Sequence, residues 1–443
     1  MSRSQRDAGL SRTLGPWSLA ANIISMIIGA GIFVVPGALA ASMGAYAPLA
    51  FLGGGIAIGA VALCFAEGGS RIPTSGGAYG YIEAALGPLA GYVAGTLLWL
   101  GDALACGSVA AALADTVVTF LPPQVKLAAH AMVIVCVIGA IAFVNRRGVA
   151  QGARLINVAT ILKLVPLLAL VIAGAWAIRG ANFAAPVKLD VHATGRGLIL
   201  AFFALTGMEA SLCVSGEVRD PSRTIPRALA IAIGSSVVLY SAIQVIAQGV
   251  LGASLSRSTA PLVDAMAHIS PSLRALMLAG VAVAMLGWLS SDSLSSPRVL
   301  FAFGRDGLLP RALGRVHPRT HAPRTAIVCY ATITAAMALL GNFAELAVLA
   351  TLASAALYIG GCAAAWRLAR QGVAEAGAPL NSRWLPAAAA VGIASMTAMI
   401  ALASRPEIIG LFSLIAASTA VYVLQARLRR AKQLLEAPAD SGA

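Results

Sequence analysis

Ile28-Gly29-Ala30-Gly31-Ile32-Phe33 lies inside an apolar run extending from about residue 16 to residue 42. A run of that length reads as helix, yet Gly29 and Gly31 lack the side chains that favour helix, and Pro36-Gly37 follows. The same anomaly recurs in the sixth apolar run, 196 to 217. There Phe203-Ala204-Leu205-Thr206-Gly207-Met208-Glu209 puts a glycine and an ionisable residue in mid-run. Glycines also let membrane helices pack closely. Two interrupted spans at matching positions of two halves point instead to discontinuous helices around a binding site at the bilayer midplane.

The composition around these runs excludes an ordinary soluble protein. Of 443 residues, 59% are hydrophobic and 11% charged, where a soluble chain carries about 25% charged residues. Mean hydropathy is +0.86. Lipid is the alternative solvent, and only a helix of about 20 apolar residues satisfies its own backbone there. Apolar runs at 16–42, 47–69, 87–120, 126–144, 153–178 and 196–217, then 228–252, 273–303, 324–341, 343–368, 384–403 and 407–427, give an expected all-α polytopic membrane protein of twelve spans. Flanking segments 1–15 and 428–443 are polar and basic.

The net charge of +14 would suggest nucleic acid in a soluble protein; here it marks topology. With both termini placed in the cytoplasm, most of the 31 Lys and Arg residues fall on the cytoplasmic side. Lys126, Arg179, Lys188, Arg196, Arg257, Arg274 and Arg405 fall on the other, and Lys163 within a span. The first apolar run is too long for a signal-peptide core, so no cleavage is expected. The expected location is the cytoplasmic (inner) membrane. The six cysteines show no CxxC spacing and have no His cluster beside them, so neither a disulfide framework, a metal nor another cofactor is expected.

Four local patterns, in order and each at a span boundary, make the chain resemble the amino acid, polyamine and organocation transporter superfamily over nearly its whole length. They are Ile28 to Phe33, Gly76-Gly77-Ala78-Tyr79-Gly80-Tyr81, Gly207-Met208-Glu209 followed by Glu217 to Arg227, and Arg305-Asp306-Gly307-Leu308-Leu309-Pro310. The resemblance implies two inverted five-helix repeats, spans 1–5 (residues 16–178) and 6–10 (196–368), followed by two further helices (384–427). It also implies that Ile28, Gly29, Ala30 and Gly31 take a substrate α-carboxylate, with Phe203, Ala204 and Leu205 taking the α-ammonium. The first assignment has a physical basis, because a half-helix N-terminus offers unpaired N–H groups and partial positive charge to an anion. Relatives often carry a hydroxyl residue where this chain has Ala30, so backbone alone must serve here.

Lys163, in Ile161-Leu162-Lys163-Leu164-Val165-Pro166, lies roughly 15 Å from the end of its span, too deep for easy snorkelling. Such an ammonium costs several kcal/mol unless paired, neutralised or able to reach water. Either it points into a polar groove with no transport role, or it acts as the resemblance implies. In that case it takes the place of a sodium ion, meeting carbonyls near Gly29 and hydroxyls near Ser290 or Ser291, and couples transport to protons. Asp102 and Cys106 share one face of the third span. The resemblance places them where related transporters line the substrate side-chain pocket, where an acid suits a cationic or amino-bearing substrate; the other reading pairs Asp102 with a neighbouring polar group.

By the resemblance Glu209 links the sixth span to its neighbours during closure and could take part in proton movement; the other reading has it cap unwound backbone. Asp292, in Ser290-Ser291-Asp292-Ser293, either pairs with Lys163 or faces a polar cavity. By the resemblance Phe203 is an aromatic lid over the substrate and Trp288 a substrate-proximal aromatic. Arg298, Arg305, Asp306 and Arg311 are read as a cytoplasmic gate network, and Asp115 as solvated or interfacial.

The expected function is a secondary active transporter of an amino acid or related amine, proton-coupled or exchanging and independent of sodium. A sodium-coupled symporter is the nearest variant. A membrane-embedded enzyme would need a nucleophile with a base, or a metal set such as HExxH, and the five histidines form none. The expected partners are the small-molecule substrate, protons and membrane lipid, with no nucleic acid. A homodimer is compatible with the sequence.

Overall fold

The computed structural model describes residues 10–29, 31–118, 121–183, 191–258, 260–340, 343–375 and 378–436. Ala30 and the side chain of Phe203, both expected to touch substrate, lie outside what is described. Regular structure among the described residues is helical, apart from one isolated bridge between Leu14 and Val218.

The first apolar run divides into α1 (Pro16–Ile27) and α2 (Gly31–Met43). Then come α3 (Ala47–Arg71), α4 (Ala78–Leu86), α5 (Pro88–Val118), α6 (Pro123–Asn145) and α7 (Val149–Ala175). The sixth run divides likewise into α8 (Val191–Ala204) and the single turn α9 (Met208–Ser211). The chain continues through α10 (Pro221–Leu251), α11 (Pro261–Ile269), α12 (Pro271–Ser295) and α13 (Pro297–Arg305). It ends with α14 (Arg324–Leu340), α15 (Phe343–Arg370), α16 (Leu385–Ala401) and α17 (Arg405–Glu436). Eight helical stretches among the described residues are long and apolar enough to cross a membrane, and α1, α14 and α16 are shorter apolar helices.

Prolines start many of these helices because the first turn needs no N–H from them and their φ suits helix. Pro166, inside α7, is different: it cannot donate to Leu162, and its ring needs room. Gly280 of α12 supplies that room, since a Cβ there would lie 2.9 Å from Pro166 Cβ. Close α7–α12 packing therefore rests on a proline facing a glycine. Farther along the same contact, a Cβ on Gly287 would sit 3.2 Å from Ala159 Cβ and 3.5 Å from Lys163 Nζ.

Lipid gives no hydrophobic drive between helices, so packing and hydrogen bonds must hold the bundle together. Edge-to-face rings do part of this. Phe51 of α3 meets Tyr240 of α10 at 5.4 Å, and Phe65 of α3 meets Tyr358 of α15 at 5.4 Å, each pair worth about 1 kcal/mol. Both tyrosines are fully buried, and fixing their rings fixes their hydroxyls.

Candidate functional site

The last turn of α1 leaves carbonyls without intrahelical donors, and their partners can be named. Ile28 N–H donates to Ile24 O at 2.8 Å, and Gly29 N–H to Ile27 O at 2.8 Å. Tyr240 Oη donates to Ile27 O at 2.9 Å. Lys163 Nζ, wholly buried, donates to Ser25 O at 2.6 Å and to Ile28 O at 2.8 Å. The ammonium thus sits on the uncoiled end of α1, where negative carbonyl ends converge. Its expected hydroxyl partners do not meet it. Ser290 Oγ donates to Leu286 O at 2.7 Å, and Ser291 Oγ is buried with no hydrogen-bond partner.

Beyond the break, α2 begins at Gly31 with N–H groups that have no intrahelical acceptor. Gly29 and Gly31 line a cavity of about 320 Å³, within the usual range for a small-molecule site. Trp288 of α12 covers Gly29 so closely that a Cβ there would lie 2.9 Å from the indole Cδ1. Ala204, Thr206 and Gly207 form the wall opposite, and Gly31 and Ala204 are near neighbours, a Cβ on the former lying 3.7 Å from Ala204 Cα. Leu205, expected to share that wall, is fully buried and is not among the lining residues.

The second break turns at Gly207, whose φ of +117° is open to glycine but costly for L side chains. A Cβ there would also come within 3.0 Å of Met26 O. The two breaks therefore touch through backbone. Glu209 folds back on this turn, its Oε2 accepting from Gly207 N–H at 3.1 Å and from the Tyr358 hydroxyl.

The sequence profile of the amino acid permease family matches residues 14–416. The chain belongs to this family. It is an integral membrane transport protein and not an enzyme. An uncharacterised transporter of Mycobacterium tuberculosis is 36% identical over 344 residues, covering 74% of each chain. The methylthioribose transporter of Bacillus subtilis is 27% identical over 377 residues, covering 80% of this chain and 81% of its own. A branched-chain amino acid permease of Lactococcus lactis is 28% identical over 364 residues, covering 76% of this chain and 77% of its own.

In the permease, Asp102 of α5 lines the cavity at 7% exposure, together with Ser108, Val109, Ala350, Thr351 and Ser354. Cys106 does not line it; it is fully buried, packed with Trp288 and Leu289, and its thiol meets Asp292. Asp292 is fully buried and pairs with neither Lys163 nor the cavity. It accepts from Tyr330 Oη at 2.7 Å and contacts Ser296 Oγ at 2.9 Å, while Ser296 Oγ lies 2.6 Å from Asp102 Oδ2. Asp115 is exposed and meets His130 Nε2 at 3.2 Å.

At the Arg-rich end, Arg298 and Glu217 form a fully buried pair at 3.3 Å, and Arg305 pairs with Asp306 at 2.9 Å. The segment before α1 closes over this end. Leu14 N–H donates to Glu217 O at 3.1 Å, and Arg219 N–H to Leu14 O at 2.9 Å.

Sequence reading passed over Tyr240, Tyr358, Tyr330 and Ser296. A tyrosine deep in an apolar run is a usable signal, because its hydroxyl needs a partner when buried. Which partner it finds depends on how the helices pack.

Proposed function

We propose that the permease moves an amino acid or related amine across the cytoplasmic membrane by alternating access, with both termini cytoplasmic. It does so across twelve spans arranged as two inverted five-helix repeats and two further helices. The observation that carries this reading is the ammonium of Lys163 on the Ser25 and Ile28 carbonyls, directly behind a glycine-lined cavity. The substrate carboxylate takes the unpaired N–H groups of the first turn of α2, from Gly31 on, and the ammonium takes the carbonyl end of α8 at Ala204. Two helix ends of opposite polarity across one cavity select a zwitterion and leave its side chain facing Asp102 and the residues of α15.

The Lys163 ammonium occupies the position that a coupling cation would need, so a proton gradient or exchange, and not sodium, drives the cycle. When the ammonium is in place it ties α1 to α7. When it loses its proton the Ser25 and Ile28 carbonyls lose their donor, and α1 is free to tilt. Glu209 and the gate pairs Arg298–Glu217 and Arg305–Asp306 then follow the movement of α8 and α9.

Purified permease in proteoliposomes tests this reading. Uptake of a labelled amino acid should rise with an inward proton gradient, stay unchanged when sodium replaces potassium, and lose its pH response in Lys163→Ala. Uptake driven by a sodium gradient, or an unaltered pH response in that variant, would overturn it.

A further inference from the structure

Asp102 and Asp292 approach the same hydroxyl from opposite sides. Ser296 Oγ is 2.6 Å from Asp102 Oδ2 and 2.9 Å from Asp292 Oδ1. A hydroxyl has one hydrogen and can donate to only one of them; the other contact needs a proton on a carboxyl. The cavity decides between them: Asp102 lines it and Asp292 does not, so a cation entering the cavity draws the negative charge to Asp102 and the proton to Asp292. With the charge drawn there, Ser296 Oγ–H donates to ionised Asp102, and Asp292 Oδ1–H donates to Ser296 Oγ. Tyr330 Oη–H then donates to the other oxygen of Asp292.

The surroundings supply no cation to neutralise this pair. Cys106 on α5 and Tyr330 on α14 face Asp292 as neutral donors. From α9 and α15, Glu209 and Tyr358 face Asp102, but they are engaged with each other and with Gly207. Cys213, in the 3₁₀ turn after α9, is the remaining titratable neighbour. The nearest cations are spoken for: Arg298 by Glu217 and Leu294 O, and Lys163, on the opposite side of α12, by Ser25 O and Ile28 O. On α6, His130 pairs with Asp115, roughly 20 Å along α5 from Asp102. Helix α1 carries no titratable side chain. The cavity has two acids on its wall, Asp102 and Glu209, and no basic side chain among its described residues.

We propose that Ser296 and Asp292 are positioning residues that share one proton with Asp102, making Asp102 a singly charged counter-ion for a cationic substrate side chain. This rests on the reading of the cavity as an amino acid site, and it names the substrate class: amino acids with a positively charged side chain. Asp102 keeps its second oxygen for the substrate. The proton on Asp292 holds Ser296 Oγ–H toward Asp102, so the pair presents one negative charge to one positive group. No proton leaves the pair when the substrate binds; its place on Asp292 is fixed by the incoming charge.

The test uses full-length permease in nanodiscs, with lysine and its uncharged isostere norleucine as probes, alongside infrared spectra of the carboxyl C=O region. Wild type should bind lysine over norleucine, and Asp102→Asn should lose that preference. Ser296→Ala should reduce it about tenfold, the loss of one hydrogen bond to a charged group, and Ser296→Thr should restore it. Lysine-bound wild type should show a protonated-carboxyl stretch that Asp292→Asn removes and Tyr330→Phe shifts. The pairing is overturned if the stretch survives Asp292→Asn, if Tyr330→Phe leaves it unmoved, or if Ser296→Ala keeps the wild-type preference. Should wild type bind neither amino acid, the transport reading fails, and the infrared bands still decide whether the proton is shared.

Discussion

At residues 28–30 the gap between α1 and α2 is held by side chains from three other helices. Lys163 of α7 and Tyr240 of α10 donate to its carbonyls, and Trp288 of α12 covers Gly29. At residues 205–207 the gap between α8 and α9 is held largely by its own chain. Gly207 takes a positive φ, and Glu209, two residues on, accepts its N–H; Tyr358 and Ser354 of α15 reach in to Glu209 from outside. One break is thus clamped by distant groups, among them a titratable one, while the other is built into local sequence. A clamp made of separate helices can open when one member changes charge. In the proposed cycle, a turn made by a glycine and its neighbour would persist and serve as a hinge.

The largest effect should come from Lys163→Ala, which leaves the Ser25 and Ile28 carbonyls buried without their shared donor. A loss of about 3 kcal/mol of stability is expected, measured by thermal unfolding in detergent, together with loss of pH-dependent uptake. Gly207→Ala comes next: its backbone strain and its approach to Met26 O should cost about 2 kcal/mol, and transport should fall while the pH response of the residual activity persists. If Gly207→Ala instead abolished the pH response and Lys163→Ala did not, the assignment of clamp and hinge would be reversed.

Gly29→Ala pushes a methyl against Trp288 without touching Lys163. Substrate affinity should drop about tenfold, roughly 1.4 kcal/mol, and Trp288→Leu in the same chain should recover part of it, as read by equilibrium binding. The smallest effect is expected for Tyr240→Phe. It removes one donor from Ile27 O, which Gly29 N–H also serves, so about 1 kcal/mol of stability should be lost, with uptake still responding to pH.

Much of the fold is legible because the bilayer imposes a narrow rule: a backbone in hydrocarbon must be helical, and apolar length reveals where. The points at which helix stops are equally legible at Gly29, Gly31 and Gly207, since glycine weakens helix wherever it falls. The Asp102–Ser296–Asp292 contact is not legible. Asp292 and Ser296 are one helical turn apart, but Asp102 lies 194 residues from Ser296, and positions 290 to 296, at the end of α12 and just beyond it, are nearly all polar and all buried, so composition cannot say which of them meets α5. Lys163 stands between these cases. Its depth and its need for partners follow from sequence, but the two carbonyls that satisfy it belong to a helix more than a hundred residues away.

By itself the sequence determined that this chain is a helical membrane protein, where its helices are interrupted, and which ionisable groups are stranded in apolar surroundings. Each follows from local composition against the cost of leaving a backbone group or a charge in lipid. Only the tertiary structure decided that the two interruptions meet across one cavity, that the lysine closes on the first of them, and that two acids converge on a single serine. Those outcomes depend on which helix faces pack together, through contacts such as Gly280 on Pro166 and Gly287 beside Lys163. Side-chain shape across helices governs that packing, and no window of sequence contains it.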